Sequence, residues 1–258
     1  MGEVWPTAIV AGVAAVSSVL GGLIGGWRKP STLLSSIALG LAAGVLLGTI
    51  TFEMLPRAES LASLTFASAG FLTGIALMFV FDLTLQRGRT AGPASDQLRQ
   101  IRRFHQKRPP RGDEVTMLAG GTAAEEIIEG VSIGVSAAIQ PELALFVAGS
   151  IALDNITEGL SIGALSAERS ESGGRGRAVK WTATIGASLF VSAVLSWLLL
   201  RSLPDIPLGM AVAAGGGGML YLTITDLIPE AEARHYQHSS TLAAAIGFLI
   251  AFILSSLV

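Results

Sequence analysis

Long apolar stretches alternate with short polar breaks along almost the whole chain. Eight such stretches lie near 4–26, 33–55, 61–85, 115–139, 142–167, 179–201, 207–229 and 239–258. Each is long enough to cross a bilayer core of roughly 30 Å as a helix. The breaks are short except for residues 86–114, which contain RQIRRFHQKRPPRGDE, and for ERSESGGRGRAVK between segments five and six. The pattern predicts an all-α membrane protein with eight transmembrane helices in one domain, residues 1–258.

Composition supports that picture. Of the 258 residues, 51% are hydrophobic and 14% charged, and mean hydropathy is +0.62. A soluble domain carries about a quarter charged residues. The net charge of -2 argues against a nucleic-acid partner. With no cysteine, thiolate metal sites and disulfides are excluded. No basic stretch followed by a small-residue cleavage site opens the chain, so the first apolar segment is expected to act as an uncleaved signal.

Charge sets the expected orientation. With both termini outside the cytoplasm, 15 of the 17 basic residues fall in inner loops. These are Arg28, Lys29, the basic residues between Arg87 and Arg111, those between Arg169 and Lys180, and Arg234. Only Arg57 and Arg201 fall outside. The basic 86–114 loop, with His105 in it, reads as a cytoplasmic anchor. A multi-pass protein of the cell membrane is expected, with the lipid bilayer as its surroundings.

Two internal repeats stand out. AAGVLLGTITFEMLPRAE (42–59) matches GGGGMLYLTITDLIPEAE (215–232) at an offset of 173 residues, pairing Glu53 with Asp226 and Pro56 with Pro229. With eight spans these segments cross the membrane in opposite directions. The expected fold is therefore an inverted repeat of helices 1–3 and 6–8 around a central helix 4/5 hairpin, a pattern typical of transporters. The second repeat has an offset of 29: AAEEIIEGVSIG (123–134) matches ALDNITEGLSIG (152–163).

The second repeat carries the acids. Glu125 and Glu129 share a helix face, with Glu126 about 100° round, and Asp154, Asn155 and Glu158 repeat the geometry. The short turn at Gln140–Glu142 makes the two helices an antiparallel hairpin, with both clusters near the bilayer midplane. An ionised carboxylate there costs about 2.5–3.5 kcal/mol even on a lenient scale. No Lys or Arg lies inside the apolar segments, away from their ends. The remaining partners are protons, or a divalent cation that would satisfy several oxygens at once. A protonated polar seam is the simpler alternative. Gly130, Gly159 and the glycines of segments two and seven read first as close-packing positions. Glu53 and Asp226 are either solvated helix-end acids or the lining of a pathway entrance. Asp82 reads as a solvated or packing residue.

Taken in order, these pieces resemble the ZIP (Zrt/Irt-like) divalent metal transporters, prokaryotic branch. LAAGVLLGTITFEMLPRAES is similar to the family's second helix, GFLTGIALMFVFDLTL to its third and GGGGMLYLTITDLIPEAEA to its seventh. The family's helix-four signature, His-Asn-x-Pro-Glu-Gly, reads here as Glu125-Glu126-Ile127-Ile128-Glu129-Gly130. The helix-five counterpart is Asp154-Asn155-Ile156-Thr157-Glu158-Gly159. Both leading imidazole positions are carboxylates, and Ile128 and Thr157 stand where the signature has proline. An acid that some members carry in helix six is replaced by Thr182, Thr184, Ser188 and Ser192.

The resemblance implies a metal-ion cargo moved toward the cytoplasm, with no cofactor, and helices one, four, five and six shifting against the rest. It implies a first site of Glu125, Glu129, Asp154 and Glu158. An adjacent second site would use Glu126 and Asn155 and share Glu129 and Glu158. Family members tend to be homodimers. An all-oxygen set favours harder ions such as manganese, with iron(II) still suited, over zinc. Without the prolines, Ala124 and Leu153 should keep their helical hydrogen bonds. Other readings remain: a metal-binding sensor or transport-inactive relative, a monovalent-cation pathway, or a membrane enzyme. Glu-x-x-x-Glu occurs in lipid-pyrophosphate phosphatases, but a phosphate would call for a positioned Arg or Lys.

Overall fold

In lipid every backbone N–H and C=O must be satisfied within the protein, so apolar segments fold as helices. The computed structural model describes residues 4–27, 31–85, 114–168, 174–232 and 236–256. In order these form α1 (Val4–Trp27), α2 (Thr32–Thr49), a π-helical turn π1 (Ile50–Met54) and α3 (Leu55–Leu85). Then come α4 (Glu114–Ile139), α5 (Pro141–Glu168), α6 (Gly174–Leu200), α7 (Asp205–Leu222), a second π turn π2 (Thr223–Leu227), α8 (Ile228–Glu232) and α9 (Gln237–Ser255). No strand occurs among the described residues. The basic loop expected at 86–114, apart from its last residue, lies outside them. So do Arg28, Lys29 and Arg234, and the side chain of Asp82.

Six helical stretches among the described residues are long and apolar enough to cross a membrane: Val4–Trp27, Thr32–Phe81, Pro141–Ala167, Gly174–Leu200, Asp205–Glu232 and Gln237–Ser255. The second is 50 residues long. As one straight helix it would reach about 75 Å, far more than a bilayer core. Ser63 divides it, with φ 61° and ψ 160°. α4, which carries Glu125, Glu126 and Glu129, is not among the six.

The end expected for segment two near residue 55 differs in the structure. The helical run continues through π1 into α3, and the break comes only at Ser63. The reason is local. Pro56 and Pro229 have no N–H to donate, and just before each the chain widens into a π turn. Leu55 N–H reaches back to the Ile50 carbonyl, and Ile228 N–H to that of Thr223. The two π turns are themselves offset by 173 residues. Glu53 and Asp226 therefore sit inside helical runs, not at their ends.

Large apolar side chains face outward and small or polar ones inward. On α1, Trp5, Ile9, Val13 and Leu20 are exposed, while Ala11, Ala14, Ser17 and Ser18 are buried. Trp5 is 67% exposed, a surface that water would not tolerate in bulk but lipid does. The chain is thus a multi-pass membrane protein.

The helices pack in two groups. One contains α1, α4, α5 and α6; the other contains α2, α3, α7 and α9. The groups meet mainly where α2 crosses α5 and α4 crosses α7. Within them, glycines let backbones touch. A Cβ on Gly44 would strike the Ala244 carbonyl oxygen, and one on Gly217 that of Phe71. A Cβ on Gly74 would strike the Ala214 carbonyl, and one on Gly247 that of Leu41. Shifting every partner by 173 exchanges the α2–α9 contacts with the α3–α7 contacts.

Candidate metal centre

The hairpin of α4 and α5 turns at Gln140, whose N–H donates to the Ser136 carbonyl at 3.0 Å, with Pro141 opening α5. The repeated glycines of its two strands of sequence serve opposite neighbours. Gly130 and Gly134 lie against α6, where a Cβ would meet the carbonyls of Leu189 and Ala193. Gly159 and Gly163 lie against α1, where it would meet those of Ser18 and Gly22. Each acidic cluster is thereby held against a flanking helix.

The acids lie deep. Asn155 is 0% exposed, Glu126 1%, Asp154 2% and Glu129 6%; Glu125 and Glu158 are half-buried. Asn155 Nδ2 donates to the Ala14 carbonyl of α1 at 3.1 Å and to Glu126 Oε2 at 3.4 Å. That leaves Glu126 Oε1, Asp154 Oδ1 and Asn155 Oδ1 buried with no hydrogen-bond partner. A buried carboxylate or amide oxygen without a donor is costly. Three of them lie here, Glu126 on α4 and Asp154 and Asn155 on α5, with Asn155 joined to Glu126 across the hairpin. Among the described residues, however, no three acidic or imidazole side chains converge closely enough to hold a metal ion as they stand.

Charge continues beyond the hairpin. Glu158 lies within electrostatic reach of Asp154, Glu125, Glu129 and Glu230. Asp154 feels Glu230 and Asp226. Exposure increases along this track, from buried Asp154 through half-buried Glu158 and Asp226 to exposed Glu230. Asp226 Oδ2 accepts from Thr225 Oγ1 at 2.9 Å. Glu53, at the equivalent place in π1, is buried and near Arg57 instead. Glu230 occupies the position that matches Arg57 in the 173-residue repeat, so one end of the repeat is acidic where the other is mixed.

The positions where the family signature has proline are straight here. α4 and α5 run as unbroken α-helices through Ile128 and Thr157. Thr157 Oγ1 donates to the Asp154 carbonyl at 2.7 Å, and the Ile128 carbonyl accepts from Ser132 Oγ at 3.0 Å. Of the hydroxyls named above on helix six, Ser192 reaches the Glu126 carbonyl at 3.5 Å. Thr182, Thr184 and Ser188 bond to their own helix backbone. Ala14 and Glu230 were not legible as site residues. Ala14 contributes only a carbonyl, and Glu230 comes from a segment remote in sequence.

Fold and site together define a multi-pass helical membrane protein with a buried, carboxylate-rich cluster on its α4–α5 hairpin. No family model matches the chain. Similar proteins exist nonetheless. The zinc transporter ZupT of Enterobacter sp. (strain 638) is 30% identical over 230 residues, covering 87% of this chain and 84% of that protein. ZupT of Corynebacterium aurimucosum is 30% identical over 246 residues, covering 91% and 89%. That of Corynebacterium efficiens is 30% identical over 248 residues, covering 92% and 91%. The chain belongs to the ZIP family of metal transporters.

Proposed function

We propose that this protein carries divalent metal ions across the cell membrane toward the cytoplasm. The observation that carries the reading is the trio of buried, unpartnered oxygens on Glu126, Asp154 and Asn155, set among Glu125, Glu129 and Glu158. The cargo ion would draw these side chains together. Glu125, Glu129, Asp154 and Glu158 form one site; Glu126 and Asn155, sharing Glu129 and Glu158, form a second beside it. The graded track through Asp226 to Glu230 supports release on that side, where an acidic surface can take the ion. At the other end Glu53 is an entrance acid whose charge Arg57 offsets.

Eight crossings follow from the six apolar stretches once Thr32–Phe81 is divided at Ser63 and α4 is added. An even number of crossings leaves both termini on one side, and the basic residues of the loops on the other side favour the outer face for them. The exchange of glycine contacts under the 173-residue shift supports an inverted repeat, with α4 and α5 at its centre. Such a fold can reach its central site from either face as one group of helices moves against the other.

Every candidate ligand here is an oxygen. Zinc, in the relatives' names, and the harder manganese and iron(II) all suit carboxylates, and loss of imidazole favours the latter two. The test is metal flux into proteoliposomes with Mn, Fe(II), Zn, Cd, Co and Mg compared in parallel. Saturable flux is the expected result. Binding without flux for any ion would make the protein a sensor or an inactive relative. Glu125→His with Asp154→His should raise the zinc-to-manganese flux ratio by roughly tenfold; an unchanged ratio would remove these two positions from the ligand set.

A further inference from the structure

We infer that Thr49 and Ser150 form a latch that seals the metal centre from the outer side and must open in each transport cycle. The inference rests on the proposed transport reading and names residues that no acid motif includes. Thr49 ends α2, in one helix group, and Ser150 lies on α5, in the other, one turn before Asp154. Their hydroxyl oxygens are 2.6 Å apart, and each residue is 1% exposed. Ser150 Oγ also lies 2.9 Å from the Phe146 carbonyl, to which it donates. Either hydroxyl can donate to the other, and when Ser150 donates to Phe146, Thr49 is the donor of the pair. The bond thus crosses the α2–α5 seam, one of the two places where the groups meet.

The surroundings differ on the two sides of Asp154. Beyond Ser150 in the outward direction the polar face of α4 is closed, with Ser132 and Ser136 both 0% exposed and Ser136 Oγ buried without a partner. In the inward direction the same α2–α5 seam opens into a cavity of about 20 Å³ lined by Leu34, Ser35, Leu39, Thr157 and Ser161. The seam is therefore closely packed beside the latch and holds a void of about one water molecule's size on the inner side. Any slide of one group past the other must part these two hydroxyls, because each is anchored on a rigid helix. A neutral hydroxyl pair suits the task. It holds one state by a modest amount and leaves no unpaired charge when it opens.

The chain has no native cysteine, so engineered thiols report cleanly. The first arm uses Thr49→Cys with Ser150→Cys in proteoliposomes. Hydroxyls this close place the Cβ atoms near disulfide range. Oxidation should abolish metal flux, and reduction should restore it. Flux that persists after the crosslink is shown complete would overturn the latch. Wild-type flux, measured beside it, judges the transport reading separately. The second arm needs no flux. In Ser136→Cys protein, adding Thr49→Val should raise labelling by a membrane-impermeant maleimide from the outer side by about fivefold, the population shift expected from one lost hydrogen bond. Elution on gel filtration, with or without Thr49→Val, reports whether the fold is kept. Labelling that stays at the Ser136→Cys level in folded protein would overturn the latch even if the protein carries no metal at all.

Discussion

Replacing Glu129 and Glu158 together by alanine lowers metal flux by about 100-fold or more, because these are the two carboxylates shared by both proposed sites. Asn155 and Glu126 keep their mutual hydrogen bond in that variant, so the hairpin retains its internal contact. The protein should still fold. Each lost carboxylate also removes the cost of keeping an acid inside a low-dielectric bundle. The thermal midpoint in metal-free detergent is therefore expected to hold or rise while transport disappears. Loss of function with gain of stability is what a site built for a missing cation would show. A double variant that keeps more than about a third of wild-type flux would remove both residues from the metal path.

Gly159→Val is expected to prevent folding, and Gly159→Ala to cost about 3 kcal/mol or more. A Cβ at this position meets the Ser18 carbonyl oxygen and the backbone of Gly21 and Gly22, none of which can swing aside as a flexible side chain could. Moving α1 away would also break the bond from Asn155 Nδ2 to the Ala14 carbonyl, so the buried acidic cluster would lose its support with the fold. Gly149→Ala, on the same helix, provides the contrast. Nothing lies within 4 Å of a Cβ there, and removing a helical glycine should leave stability unchanged or raise it by about 0.5–1 kcal/mol. Thermal unfolding in detergent compares the three. Equal midpoints for Gly159→Ala and Gly149→Ala would show that α1 and α5 are not in backbone contact.

The acidic residues of the centre were legible because their information is local. A carboxylate in an apolar run is conspicuous, and a spacing of four places two on one face whatever the tertiary fold. The duplication at 29 residues also aligned Glu125 with Asp154 and Glu126 with Asn155, and the second pair is joined by a hydrogen bond at 3.4 Å. Exposure was less legible. Glu53 and Asp226 looked like helix-end acids because each precedes a proline, but the proline widened the helix into a π turn and the helical run went on. Glu126, about 100° round from Glu125 and Glu129, is the acid to which Asn155 donates.

Hydropathy and repeat spacing determined that this chain would be helical, membrane-embedded and built around two matched acidic segments. Those properties follow from backbone hydrogen bonding in lipid and from helical period, which act over a turn or a span. Which helix lies beside which was decided by packing. The glycines of Glu-Gly-x-Ser-Ile-Gly could have met any neighbour, and the folded chain sends one set to α6 and the other to α1. Only that arrangement brings the Ala14 carbonyl to Asn155, Glu230 into the field of Asp154, and Thr49 to Ser150 across more than a hundred residues of chain. Such contacts depend on close approach of backbones that no local pattern encodes.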